Sequence, residues 1–163
     1  GQALEMELPL FVNREDRISG NQYEPPPYLI VGGLVFTELS SNYLASLGRN
    51  WRSKISPEIL YELVFRNRQS EADARAKPVV LSKILKHPSN VDFSAAPPSI
   101  LTELNGREIS RMQDLQSAVE NTDDAFHRFR FLSGDEEALN RADARTAVQE
   151  LTERYNIPST QRL

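Results

Sequence analysis

The sequence predicts an α+β domain organised around a partly closed antiparallel sheet, and three observations carry that prediction. Strand-like apolar runs recur at residues 28–39, 78–85, 100–104 and 126–132. Short amphipathic stretches separate them, each a few turns of helix at most. Asn105-Gly106 sits between two alternating segments and supplies the positive-φ residues of a tight hairpin turn. The resulting order, strand, short helix, strand, hairpin, helix, strand, lacks the regular strand–helix alternation of a nucleotide-binding fold.

Along the chain, Leu4, Met6 and Leu8 alternate with polar neighbours, the period of a half-buried strand. Residues 14–27 are polar, contain Gly20 and Asn21, and end in Pro25, Pro26 and Pro27, so residues 1–27 read as a strand and proline-rich linker ahead of a domain at 28–163. Residues 28–39 form the densest apolar run, rich in β-branched and aromatic side chains, with Gly32 and Gly33 at its middle. The glycine pair allows two readings. One is a tight bend inside a β-rich core; the other is a loop of free backbone N–H groups feeding a strand edge, suited to a peptide carboxylate.

Ser40 or Ser41 caps a short helix over residues 42–47, which Gly48 stops. Ser56-Pro57 opens a second helix, with Ile59, Leu60, Leu63 and Val64 as its apolar stripe. Residues 67–77 are charged and show no apolar face, so the segment 49–77 reads as an insertion-like helical excursion. The serine–glutamine spacing from Ser110 to Gln113 marks a capping box, and Met112, Leu115, Ala118 and Val119 follow at helical spacing. Residues 126–132 alternate as a strand with one wet face. Residues 138–146 fit either strand or helix, and residues 147–155 fit a helix ended near Ile157-Pro158, so 135–163 reads as a C-terminal extension.

At 163 residues the chain suffices for one core without staples. Net charge is −4, with Lys and Arg dispersed among acids, which argues against a nucleic-acid partner. The absence of cysteine removes disulfides, thiolate metal sites and cysteine nucleophiles. No apolar stretch reaches the roughly 18 residues of a membrane helix, and no basic flank with an apolar core marks a signal peptide. The abrupt start at Gly1-Gln2 reads as a piece of a longer protein.

Catalytic signals are sparse. His87, before Pro88, reads as an exposed turn histidine, and His127 as a strand-surface one. No Gly-x-Ser-x-Gly elbow or paired-histidine metal spacing accompanies them. Asp123-Asp124 and Asp135-Glu136-Glu137 read as solvated turns, and Trp51 and Tyr61 as residues at a core edge. A stand-alone hydrolase built on either histidine is the remote alternative. If the glycine-centred strand and the helix after Ser110 lie side by side, they form a groove that binds an extended peptide by strand addition.

Four segments in this order carry a family resemblance: residues 28–44, 79–88, 100–109 with the helix after them, and the tail at 155–159. Together they resemble the second, C-terminal PDZ domain of Deg/HtrA-type serine proteases, in the branch of plant Deg proteases and their bacterial relatives. The resemblance implies a circularly permuted PDZ fold, a partly closed antiparallel β-barrel or sandwich flanked by two or more helices. It places a carboxylate-binding loop at Val31, Gly32, Gly33 and Leu34, although Gly32 stands where many such loops carry an apolar residue. It places the peptide-pairing strand at residues 34–39 and the groove helix at 110–121. Pairing and pocket positions are Val35, Phe36, Thr37, Met112, Leu115, Gln116 and Val119, with Leu34, Phe36, Leu115 and Val119 around an apolar C-terminal side chain.

The implied role is non-catalytic: protein–protein contact for assembly or regulation of the protease oligomer, or capture of substrate C-termini. The implied partners are peptide or protein segments, with no cofactor, metal, nucleic acid or membrane insertion, and the implied compartment is a cell envelope or an organelle.

Overall fold

A computed structural model of the chain describes residues 23–64 and 77–163. The alternating segment at 4–8 and nearly all of the charged excursion at 67–77 lie outside the described residues. Within them, eight strands form one antiparallel sheet: β1 (Tyr28–Val31), β2 (Leu34–Glu38), β3 (Val79–Ile84), β4 (Ser99–Leu104), β5 (Arg107–Glu108), β6 (Phe126–Phe131), β7 (Glu136–Asn140) and β8 (Gln161–Arg162). Four helices accompany them: α1 (Ser41–Ser46), α2 (Pro57–Val64), α3 (Met112–Glu120) and α4 (Arg141–Arg154). The spatial order is β7-β6-β4-β3-β2-β1-β8, with β5 pairing β4.

The α+β class is as the sequence indicates, but the expected barrel-like closure is not: β7 and β8 end the sheet and do not pair with each other. A barrel needs its first and last strands to meet, and nothing in a local pattern encodes that pairing.

The sheet buries both faces. On one face Leu34, Phe36, Val79, Leu81, Leu101, Phe129 and Phe131 meet Met112, Leu115 and Ala118 of α3 and Ala144 of α4. Phe36 stacks on Phe129 with ring centroids 5.7 Å apart, and Phe93 meets Phe129 and Phe131 edge-on. On the other face Leu39, Val80 and Ile100 pack beneath Leu44 of α1 and Ile59 of α2, with Trp51 against their rim. The alternation of Val79, Val80 and Leu81 between the two clusters is the period-2 pleat read directly. The described part of the helical excursion therefore covers the sheet face opposite α3.

Helix starts follow their local chemistry. The Ser40 hydroxyl accepts from Tyr43 N at 3.1 Å and Ser56 Oγ from Ile59 N at 3.4 Å. Asn140 Oδ1 accepts from Ala142 N and Asp143 N, which turns the ambiguous stretch at 138–146 from strand into helix. The capping box expected from Ser110 is displaced by one residue: the Asp114 carboxylate accepts from Ser110 N and Arg111 N, and the helix starts at Met112. On α2, Ile59 and Leu63 face the core, whereas Leu60 is 41% exposed and Glu62 is buried in its stead.

Candidate peptide-binding site

The glycine pair is a hairpin turn. β1 and β2 pair from Tyr28↔Thr37 to Val31↔Leu34, leaving two residues between them, and both have positive φ, +57° at Gly32 and +90° at Gly33. That is the type I′ geometry, whose twist matches the strands it joins. The turn is buried. A Cβ at Gly32 would stand 2.3 Å from Leu139 Cδ2 and 3.0 Å from Ala144 Cβ; one at Gly33 would stand 2.5 Å from Leu85 O. Both carbonyls are engaged, Gly32 O by Asn90 Nδ2 at 2.8 Å and Gly33 O by Leu85 N at 2.8 Å. The C-terminal extension, through β7 and α4, therefore closes over the turn.

The structure brings the expected groove residues together. Leu34, Phe36, Met112 and Leu115 are fully buried in one cluster, with Val119 packed against it. What lies among them is the chain's own β1. Leu29 and Val31 belong to the same cluster, and β1 touches both α3 and α4. The strand edge expected to be open is closed on both sides, since β2 pairs β1 along one edge and β3 along the other. A strand flanked by two partners has no backbone groups left for a third. Gln116 stays at the helix surface, where its amide donates to Glu120 Oε1.

Val35 and Thr37 point to the opposite face. There they line a cleft of about 1000 Å³ with Glu24, Pro25, Pro26, Pro27, Tyr28, Glu38, Tyr43 and the tail residues Arg162 and Leu163. The Thr37 hydroxyl donates to Pro27 O at 2.7 Å, and Lys77 Nζ lies 3.4 Å from Glu38. Burial raises the Tyr43 phenol above its ordinary value, and its hydroxyl has no hydrogen-bond partner among the described residues.

The outer edge of β1 carries the tail. Leu29 faces Gln161, Tyr28 faces Arg162, and Ile30 N donates to Thr160 O at 2.9 Å. The Arg162 guanidinium donates from Nε and Nη2 to Pro26 O and stands 5.1 Å from the Tyr28 ring centre; the Tyr28 hydroxyl donates to Ser159 O. The sequence reading missed this surface. Its only local signal was the Pro25–Pro27 run, which reads equally as linker.

Both histidines differ from expectation. His127 shares its parity with Phe129 and Phe131 and is buried, 3% exposed, with Nδ1 unpartnered among the described residues. Burial, then the charges of Arg141 and Arg145, lower its pKa from the ordinary value. His87 does sit in a turn, but its side chain is only 9% exposed, with Nε2 3.0 Å from Glu150 Oε2 and Nδ1 2.9 Å from Ser89 Oγ. This looks like a serine–histidine–carboxylate row, yet Ser89 N also donates to Nδ1. The ring is a cap that pins the β3–β4 connection to α4. Glu136 and Glu137 are not loose turn carboxylates: the first pairs with Arg130, and Glu137 Oε1 accepts from Ser94 N and Ala95 N.

No described helix is long and apolar enough to cross a membrane. Comparison with curated proteins finds none that matches. The sequence profile of the PDZ domain, by contrast, matches residues 19–162, nearly the whole chain and every strand described above. The chain belongs to the PDZ domain family, whose members bind peptides or protein segments and are generally non-catalytic.

Proposed function

We propose that this domain is an interaction module for the assembly or regulation of a larger protein, of the Deg-type serine protease kind that its sequence resembles. One observation carries the reading: β1 pairs the edge of β2 that was expected to take a peptide, and its Leu29 and Val31 are buried in the same cluster as Leu34, Phe36 and Leu115, in contact with α3. A domain whose groove is filled from within contributes surfaces rather than an empty receptor. The alternative, capture of C-termini at Val31, Gly32, Gly33 and Leu34, requires β1 to leave β2 and the turn to come out from beneath α4. That would expose a cluster in which Leu29, Val31 and Leu34 are all buried, at a cost on the order of 1.5–3 kcal/mol for each side chain.

The test is deletion of this domain from the full-length protein, followed by measurement of its mass in solution. A change in oligomer size supports the reading, and an unchanged oligomer with unchanged activity would remove it.

A further inference from the structure

The two edges of β1 are held very differently. Its inner edge pairs β2 over four residues, inside the core. Among the described residues its outer edge is held by the tail, through two paired residues, the Ile30–Thr160 hydrogen bond and the side-chain bonds of Tyr28 and Arg162. The tail buries no apolar side chain: Gln161 and Arg162 are exposed, and Leu163 is 44% exposed at the mouth of the cleft. It is also a separable piece. Asn156, at φ +49°, ends α4 in the left-handed region, Ile157 N closes the helix on Thr152 O, and Pro158 follows. The tail can leave without unwinding a turn of α4.

We propose that the outer edge of β1, with the cleft beside it, is a strand-addition site for an extended partner segment carrying an arginine followed by an apolar residue. The tail is its resident, displaceable occupant. This rests on the reading of the domain as an interaction module and gives that module a surface. The chemistry of recognition is displayed by the tail itself. An arginine at the Arg162 position satisfies Pro26 O and lies on the Tyr28 face. Glu24 lines the same cleft and complements the basic side chain, while Glu38 is already paired with Lys77, which also lines it. The residue after the arginine enters the cleft where Leu163 now lies half outside, so a partner that seats it deeper gains burial the tail does not have.

Occupancy by the tail lowers the apparent affinity of any competitor in proportion to the fraction of time the edge is free. Weakening the tail without altering the edge therefore strengthens partner binding. The experiment compares the unaltered chain with Arg162→Glu, using acetyl-Ser-Thr-Gln-Arg-Leu-amide as the probe. Amidation removes the terminal carboxylate, so a carboxylate-binding loop cannot be the receptor. The expected result is saturable binding to Arg162→Glu at least about tenfold tighter than to the unaltered chain. Amide shifts should fall on Tyr28, Leu29 and Ile30. A probe with glutamate in place of arginine should not bind, and adding Tyr28→Leu to Arg162→Glu should abolish binding while far-UV dichroism stays unchanged.

Equal affinity for both chains, or shifts centred on Leu115 and Val119, overturns the proposal. A concentration-dependent dimer dissolved by the probe overturns the separate partner in favour of tail exchange between copies. If the probe fails while deletion of the domain still changes the full protein's mass, this surface is lost and the interaction-module reading stands.

Discussion

Two hairpins in this chain turn on the same device and end in opposite surroundings. At Gly32-Gly33 and at Asn105-Gly106 a two-residue loop with both φ positive joins antiparallel strands. The first turn is enclosed by Leu139, Ala144, Leu85, Asn90 and Leu151. The second has nothing within 4 Å of where a Gly106 Cβ would be. At Gly106 glycine answers only to backbone conformation. At Gly33 it answers to conformation and to space, because a backbone carbonyl and a buried asparagine occupy the side-chain position. The first hairpin has become a piece of core, and this is why β1 cannot be a loosely held strand.

The largest predicted effect tests that contrast directly. Gly106→Ala should cost about 1–2 kcal/mol, the left-handed penalty alone. Gly33→Ala adds an overpacking term of about 1–3 kcal/mol and should cost about 3 kcal/mol or more, read as the shift of the urea midpoint. Equal costs at the two glycines would mean that the Gly33 turn is not enclosed.

The next effect concerns the asparagine at each turn. Asn90 donates to Gly32 O and Leu85 O and accepts from His87 N, all in a buried position. Asn90→Ala leaves buried backbone groups unpaired and should cost about 2–3 kcal/mol. Asn105 accepts from Arg128 N and donates to Thr122 Oγ1 beside solvent, and glycine adopts its backbone without strain. Asn105→Gly should cost only about 0.5–1.5 kcal/mol.

The smallest effect depends on pH. Arg128 serves the exposed hairpin, while its neighbour His127 is buried among groups that keep it neutral, with its pKa lowered from 6.5. The unfolded chain takes up a proton near its ordinary value, and the folded chain does so only at lower pH. Stability is therefore full above pH 6.5 and declines as pH falls through and below it toward the folded value. In His127→Phe this part of the acid loss should vanish. Urea midpoints on either side of that value, compared between the two proteins, measure it; an unchanged slope would mean that His127 is not held neutral.

Much of the fold was legible residue by residue. Ser40 and Ser56 mark helix starts, Asn105-Gly106 marks its hairpin, and the alternation of residues 126–131 marks β6. His127 was misjudged because a polar residue in an alternating strand reads as wet, although its parity with Phe129 and Phe131 places it inside. The candidate groove was half legible. Leu34, Phe36, Leu115 and Val119 do converge, since apolar periodicity fixes the face each one shows. What fills the space between them was not legible, because an apolar run at 28–31 looks the same as the end of one long strand or as the first arm of a hairpin. Only the enclosure of Gly32-Gly33 by α4 and β7, more than a hundred residues later in sequence, decides between them. The tail surface is less legible still, because Thr160, Gln161 and Arg162 have no strand-like pattern and pair through backbone and one guanidinium.

The central claim is that β1 occupies the edge of β2 expected to take a peptide, with Leu29 and Val31 buried in the cluster that α3 covers. Its most direct test is titration of the unaltered chain with peptides that end in a free carboxylate after an apolar residue and contain no arginine, followed by amide shifts and hydrogen exchange. The account predicts no saturable shifts at Gly33, Leu34, Leu115 or Val119, and slow exchange for the amides shared by β1 and β2 at every peptide concentration. Saturable shifts at those four residues, with loss of protection along Tyr28–Val31, would contradict it.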